Sequence, residues 1–433
     1  MHSKTQLRNS TFSTTSRAAT VALAIATVFA LTVLLTQSAQ AQTYKVIHTF
    51  TGPDGAEPLA GVTLDDAGNL YGTTYFGGGT NQGTVFELRR WHGNWVLNSI
   101  LTFNGNNGSG PASEVVFGPD GALYGTTYAG GSADAGVVYS LKPPATACKT
   151  VMCPWTETIL YQFTGSDGGG PVYGNLTFDR DGNLYGTTSA GGAFGGGTVF
   201  KLTPSNGGWT ESVLYSFAGG NDDGAAPWSG VILDEAGNLY GTTIYGGGSG
   251  CLGVGCGIVY QLTPSGSGWE EKTLYSFHEE DGPDGSHPYS GLIFDPSGNL
   301  YGATASGGSG CSGTVFELSP AGGSWTFTLL YPFTGFCGGG PGASLAMDGA
   351  GALYGTTGGV GSYRWGSVFK LTPSGGSWTY TSLHDFTHGS DGGWPISSVT
   401  WDASGNLFGT TSEGGDLNCG AQYGCGVVWE ITP

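Results

Sequence analysis

Tyr44-Lys45-Val46-Ile47-His48-Thr49-Phe50 is a β-type run with no partner close by in sequence, and where it pairs decides the fold. Its last residue aligns with a Phe that ends one run in each of six later units of an internal repeat. At the other end of the chain the final unit stops at Pro433, one run short. The repeat is marked by Gly-(Asn/Ala)-Leu-(Tyr/Phe)-Gly, which starts at Gly68, Gly121, Gly182, Gly237, Gly298, Gly351 and Gly405. The intervals are 53, 61, 55, 61, 53 and 54 residues. A Gly-x-Val-aromatic-x-aliphatic segment follows each copy, the first at 83–88. A Trp and, eight residues on, a Phe come next: Trp95/Phe103, Trp155/Phe163, Trp209/Phe217, Trp269/Phe277, Trp325/Phe333 and Trp378/Phe386. A Pro then opens a short apolar stretch.

Each unit thus holds four short runs between turn clusters, here called A to D, at 61–64, 69–75, 84–88 and 95–103 in the first copy. The A–B turn reads Asp-x-x-Gly in most copies: Asp accepts backbone hydrogen bonds at the start of the turn and Gly takes the positive-φ position. Four strands in about fifty residues mark a propeller blade. The orphan run supplies the missing D strand of the last unit, so a closed ring accounts for both ends, whereas an open stack leaves two bare edges. The expected fold is all-β: a seven-bladed β-propeller of four-stranded antiparallel blades, closed by the N-terminal strand 44–50 joining the last blade. Gly72 and its six equivalents fall in mid-strand, where Gly weakens a sheet; close approach of neighbouring blades is the expected reason.

Of 433 residues, 83 are Gly and 20 Pro, yet 54 are aromatic, which argues against disorder. Lys and Arg number 13 against 32 Asp and Glu, a formal charge of −19. So acidic a chain is a poor match to phosphate backbones or anionic membranes. Lys4, Arg8 and Arg17 are the only charges before Lys45; residues 18–35 are almost wholly apolar, and Ala39-Gln40-Ala41 has the small-x-small form. Residues 1–41 therefore read as a signal peptide and 42–433 as the mature propeller, with an uncleaved anchor as the alternative. Cleavage removes those three positive charges and takes −19 to −22. Eight Cys fit export to an oxidising compartment. Cys148 with Cys153, Cys251 with Cys256 and Cys419 with Cys425 suit local staples, and Cys311 and Cys337 are left for a longer bridge. Zinc is the rival reading of paired Cys.

The succession Gly-Asn-Leu-Tyr-Gly-Thr-Thr, Gly-Gly, Gly-Thr-Val-Phe-x-Leu and Leu-Tyr-x-Phe resembles the Gloeo/Verruco (GloVer) tandem repeat of secreted bacterial proteins, over essentially all of residues 44–433. The resemblance implies export and a repeat architecture but no established activity, so it transfers no catalytic residue. A C-terminal sorting anchor is common in that family. This chain ends at Ile431-Thr432-Pro433 without an apolar tail, so release is expected rather than surface anchoring.

In a propeller the D–A and B–C loops share one face. Trp228, Tyr289 and Trp394 lie near the start of A strands, close to the channel mouth, and Tyr75, Tyr128 and Tyr245 lie in B–C loops. These six are the expected ligand-binding residues: aromatic faces stack on sugar rings while acidic and amide groups take hydroxyls. The bland alternative is that they fill gaps in Gly-rich loops. Cys311 and Cys337 also fall on this face, which supports their pairing. Asp281, Asp284 and His287 belong to the densest run of ligand-type side chains and are the metal candidates; the repeated Gly-x-Asp-Gly is a calcium candidate, with an Asx turn as its plain reading. No cofactor is expected beyond that calcium. No nucleophile elbow occurs. Glu114, which replaces a Gly found in several other A strands, and Glu57 are the catalytic candidates, as a carboxylate pair for a glycosidase or lyase.

The function read from the sequence is a secreted, non-enzymatic propeller that binds a ligand or partner on the D–A/B–C loop face, glycan being favoured and another extracellular protein the other partner class. The location is extracellular or periplasmic and the chain a monomer, with no nucleic-acid partner and no membrane association after cleavage. The alternatives are a carbohydrate-active hydrolase or lyase using channel carboxylates, and a structural or cell-surface interaction protein.

Overall fold

The computed structural model describes residues 42–144, 155–266 and 268–432. The leader reading lies outside these residues. Thr43–Thr49 is hydrogen-bonded to Val427–Thr432, which pairs with Leu407–Thr411 and then Thr400–Trp401. The Phe50 N–H donates to the Gly426 carbonyl at 3.1 Å. The first and last strands of the propeller therefore share one blade. The other six blades are four-stranded and antiparallel in chain order, the first built from Thr63–Leu64, Leu70–Thr74, Thr84–Trp91 and Asn94–Thr102. The fold is a seven-bladed β-propeller spanning 44–432. The C strand runs three residues past the expected 84–88, because C and D join in a tight hairpin, Trp91 opposite Asn94. Among the described residues the single helical element is Gly250–Gly253.

The seams between blades are aromatic. Each D-strand Phe is fully buried or nearly so. Each packs against the C-strand ring of the next blade: Phe50–Phe86 at 5.3 Å, Phe103–Tyr139 at 5.2 Å, and onward to Phe333–Phe369 at 5.0 Å and Phe386–Trp429 at 6.4 Å. Burying such a side chain contributes about 2–3 kcal/mol, and the edge-on contact adds to it. The mid-strand glycines serve these rings. Gly72 is the cross-strand partner of Phe86, and a Cβ on it would sit 2.5 Å from the Phe86 ring. The same clash recurs at the six equivalents. The expectation that these glycines let neighbouring blades approach is thus corrected: each clears space for an aromatic of its own blade. Nearer the axis, hydroxyls bind blade to blade. Thr73 donates to the Ser113 carbonyl at 3.0 Å, Thr187 to Ser229 at 2.8 Å, and Thr410 closes the ring onto Ala60 at 2.7 Å.

The A–B turns are as expected. Asp65 accepts from the N–H groups of Ala67 and Asn69 and from the Tyr71 hydroxyl. The same pattern holds at Asp179, Asp234 and Asp295. On the opposite face, bridges join D–A to B–C loops: Ala56 with Phe76, Ser109 with Ala129, Gly169 with Ala190, Ser286 with Ser306 and Gly393 with Glu413. Three of the four expected disulfides are formed among the described residues: Cys251–Cys256, Cys311–Cys337 and Cys419–Cys425. The fourth expected pair stands apart from these. Cys148 and Cys153 both lie outside the described residues.

Candidate functional site

Each A strand is entered through a proline, and the residue after it points the chain into the axial channel. Blade 3 departs from the rest. Six positions separate Pro171 from Thr177, where Pro58 to Thr63 and the other blades have five. The extra residue leaves Tyr173 at φ +51° on the channel wall. Tyr173, Trp228 and Tyr289 from three successive blades form an arc, with ring centroids 5.7 Å and 5.1 Å apart.

This arc borders two cavities that share Tyr173, Trp228, Trp394 and Ile396. The larger, about 470 Å³, is also lined by Tyr75, Tyr128, Tyr423, Glu57 and Glu413. The smaller, about 220 Å³, runs along Tyr289, Gly340 and Gly358. Together they make an aromatic mouth of the size of a small-molecule site. Below lies a throat of about 30 Å³ lined by Glu114, Asn175, Ser344 and Ser398. That is room for water, not for a sugar ring.

Glu114 spans the throat. Its carboxylate accepts from Asn175 Nδ2 at 2.9 Å and from the Ser398 hydroxyl on the far side. Burial pushes its pKa up to about 7, partly opposed by Asn175 and by the Gly61 N–H. Glu114 is half-buried and lines this narrow throat. Gly61 has no side chain because a Cβ there would collide with Glu114 and Ser398.

Two other carboxylates stand in the mouth. Glu57 precedes Pro58 at φ +55°, a left-handed conformation that favours glycine; Gly110 and Gly170 occupy the same place in blades 2 and 3. Its N–H donates to the Cys425 carbonyl, which the Cys419–Cys425 staple holds. Burial, then the charge of Glu413, holds the Glu57 pKa above the usual carboxylate range. Glu413 is raised by burial and pulled back by His388, whose Nε2 lies 3.2 Å away. His388 in turn stacks on Trp365 at 3.8 Å.

The structure thus gathers Trp228, Tyr289, Trp394, Tyr75, Tyr128 and Glu57, six of the residues singled out in the sequence, around one mouth. Tyr245 lies outside the lining, its ring edge-on to His287 at 5.7 Å. Glu114 sits deeper, in the throat. Asp284 accepts from the Tyr275 hydroxyl at 2.8 Å, and no group of three or more His, Cys, Asp or Glu that could hold a metal ion occurs among the described residues. In the Gly-x-Asp-Gly loops the Asp closes the turn: Asp54 accepts from Thr51 and pairs with His48, and Asp167 accepts from Thr164 and Tyr161. Sequence reasoning missed Tyr173, Glu413, His388 and Tyr423. Counting residues from proline to the Asp turn could have exposed Tyr173; the other three depend on how loops fold.

A family model described as the Gloeobacter/Verrucomicrobia repeat matches residues 6–254 and 252–433. No curated protein matches the chain. Among solved structures the chain is similar to a protein assigned as a gluconolactonase (14% identity, TM-score 0.37, 73% of this chain and 87% of that one). It is also similar to one from Thermus thermophilus assigned as an oxidoreductase of glucose dehydrogenase type (16%, 0.45, 90% and 99%). A third is the PQQ-bound aldose sugar dehydrogenase of Streptomyces coelicolor (11%, 0.39, 90% and 98%). No activity follows from likenesses this remote.

Proposed function

The chain belongs to the Gloeobacter/Verrucomicrobia repeat family, and within it we propose that this protein is an exported saccharide-binding propeller whose site is the aromatic mouth. One observation carries the reading: a cavity of about 470 Å³ walled by Tyr75, Tyr128, Tyr173, Trp228, Trp394 and Tyr423, with the carboxylates of Glu57 and Glu413 in the same wall. Ring faces supply stacking area and carboxylates accept from hydroxyls. The rim around it is also apolar: Phe76, Phe194, Leu252, Phe336 and Leu417 are exposed on the loops of this face, a pattern of interaction surfaces. Export is supported by the three disulfides, which persist in oxidising compartments. Among the described residues no helix is long and apolar enough to cross a membrane.

The test is a glycan array on the purified protein beside its Trp394→Ala and Trp228→Ala variants. Selective glycan binding weakened by both substitutions supports the reading; binding unchanged in both removes the mouth from it. A second reading is favoured by one feature. Glu57 and Glu413 both hold protons more tightly than ordinary carboxylates, as acid–base catalysis at a glycosidic bond requires. A reducing-sugar release assay separates the two: turnover abolished in Glu413→Gln makes the protein a hydrolase or lyase, and binding without turnover leaves it a binder.

A further inference from the structure

The charge balance of the mouth points to a narrower ligand class, and this step rests on reading the mouth as a saccharide site. Two carboxylates line the larger cavity, and neither cavity has a Lys or Arg among its described lining residues. One group able to carry positive charge, His388, lies beside the lining. It stands against Glu413 and is stacked on Trp365, so it can offset one carboxylate and not both. Among the described residues Glu57 has no such partner; the charge it senses most strongly is that of Glu413. Below them, Glu114 adds a third acid at the throat. The remaining walls are ring faces, whose quadrupoles attract cations.

We propose that the saccharide this mouth takes carries free, protonated amino groups, as in an oligosaccharide of 2-amino-2-deoxyhexose, with Glu57 and Glu413 accepting from the ammonium and the aromatic walls stacking on the rings. A bound ammonium supplies the missing counter-charge and relieves the repulsion between the two carboxylates. An N-acetylated sugar offers no charge, and a uronic acid adds to the repulsion. A lone small amine would leave most of the two connected cavities unfilled, so an oligosaccharide fits better than a simple ammonium ion.

The experiment is calorimetric titration of the purified protein with three hexasaccharides, of glucosamine, of N-acetylglucosamine and of glucose, at a pH where the amine is protonated. The glucosamine chain binds about tenfold or more tightly than the other two, as a charge-assisted pair implies. Glu57→Gln and Glu413→Gln, each confirmed as folded by circular dichroism, shrink that preference, because the glucosamine chain loses more affinity than either neutral chain. Equal affinity for all three chains, or an undiminished preference in both variants, overturns the amine inference while the mouth remains a saccharide site. No binding of any of the three removes the saccharide reading itself and this inference with it.

Discussion

Replacing Glu114 by Gln converts the throat from a titrating plug into a neutral one, and the consequence can be worked from its surroundings. The folded-state pKa is about 7 against 4.5 for the free side chain. The raised value means that the fold favours the protonated acid. Below about pH 4.5 the carboxyl is protonated folded or unfolded, and no penalty exists. Between the two values the unfolded chain gives up a proton that the folded chain keeps, so stability falls as pH rises; above about pH 7 the loss is complete. At 1.36 kcal/mol per pH unit the swing is about 3 kcal/mol, an upper figure because water in the throat screens part of it. Gln cannot ionise, but it offers one acceptor fewer to Asn175, Ser398 and Gly61, a constant cost of about 1 kcal/mol. Glu114→Gln is therefore slightly less stable than the parent near pH 4 and more stable by about 2 kcal/mol near pH 8. For a unit of this size the unfolding entropy is about 0.8 kcal/mol per kelvin. The difference in Tm between variant and parent should then climb by about 4 °C from acid to mildly alkaline pH, read by differential scanning fluorimetry across that range. Glu211 and Glu271, also pushed up to about 7, titrate alike in both proteins and cancel in the difference. A Tm difference that stays flat with pH would refute the reasoning, since it would mean that Glu114 is ionised as freely in the fold as outside it.

Three further outcomes follow from the same geometry. Glu57→Gly relieves a left-handed backbone and removes a crowded charge, so it should raise stability by about 1 kcal/mol while weakening saccharide binding; thermal melts and titration on one preparation check both halves. Phe50→Ala empties the seam between the last and first blades and should cost about 3–5 kcal/mol, as much as Phe163→Ala in an interior seam. A much smaller loss in urea unfolding would show that the closing seam adds little. Replacing Cys419 and Cys425 together by Ser should cost about 2 kcal/mol through the six-residue loop they close. It should also loosen the mouth, because Tyr423 lies between them and the Cys425 carbonyl holds Glu57; a lowered affinity in titration checks this.

The blades were legible because each solves the same local problem with the same residues. Asp65 and its counterparts must close a turn, Phe103 and its counterparts must meet the next blade's ring, and seven repetitions average out the accidents of any one copy. Ring closure was legible from two incomplete ends, since pairing 44–50 with the last unit supplies the fourth strand that its blade lacks. The role of Gly72 was misread because a sequence shows the small residue without the Phe86 ring that lies across it. In the mouth, Trp228, Tyr289 and Trp394 were readable because a neighbouring proline fixes their depth in the channel. Tyr245 was chosen for membership of a loop, and loops set direction through contacts that no spacing reveals.

The site lies where the repeat breaks its own rules, and that pattern is itself an argument for function. A ring of seven equal blades needs nothing at the channel mouth beyond small residues, and Gly110 and Gly170 hold the left-handed place before proline at no steric cost. Blades 1, 5 and 7 put Glu57, His287 and Trp394 there, at φ +55°, +55° and +53°. Blade 3 inserts a residue and so presents Tyr173, and blade 2 blocks the throat with Glu114, which obliges blade 1 to keep Gly61 bare. Each departure carries a cost of order 1 kcal/mol or more, and none improves a seam or a turn. Departures made for packing would be scattered over blade edges and both faces. Glu57, Tyr173 and Trp394 line the two cavities, Glu114 lines the throat beside them, and His287 stands against Tyr245 in the loops of the same face. Stability forgone repeatedly at one place is best explained by a ligand held there.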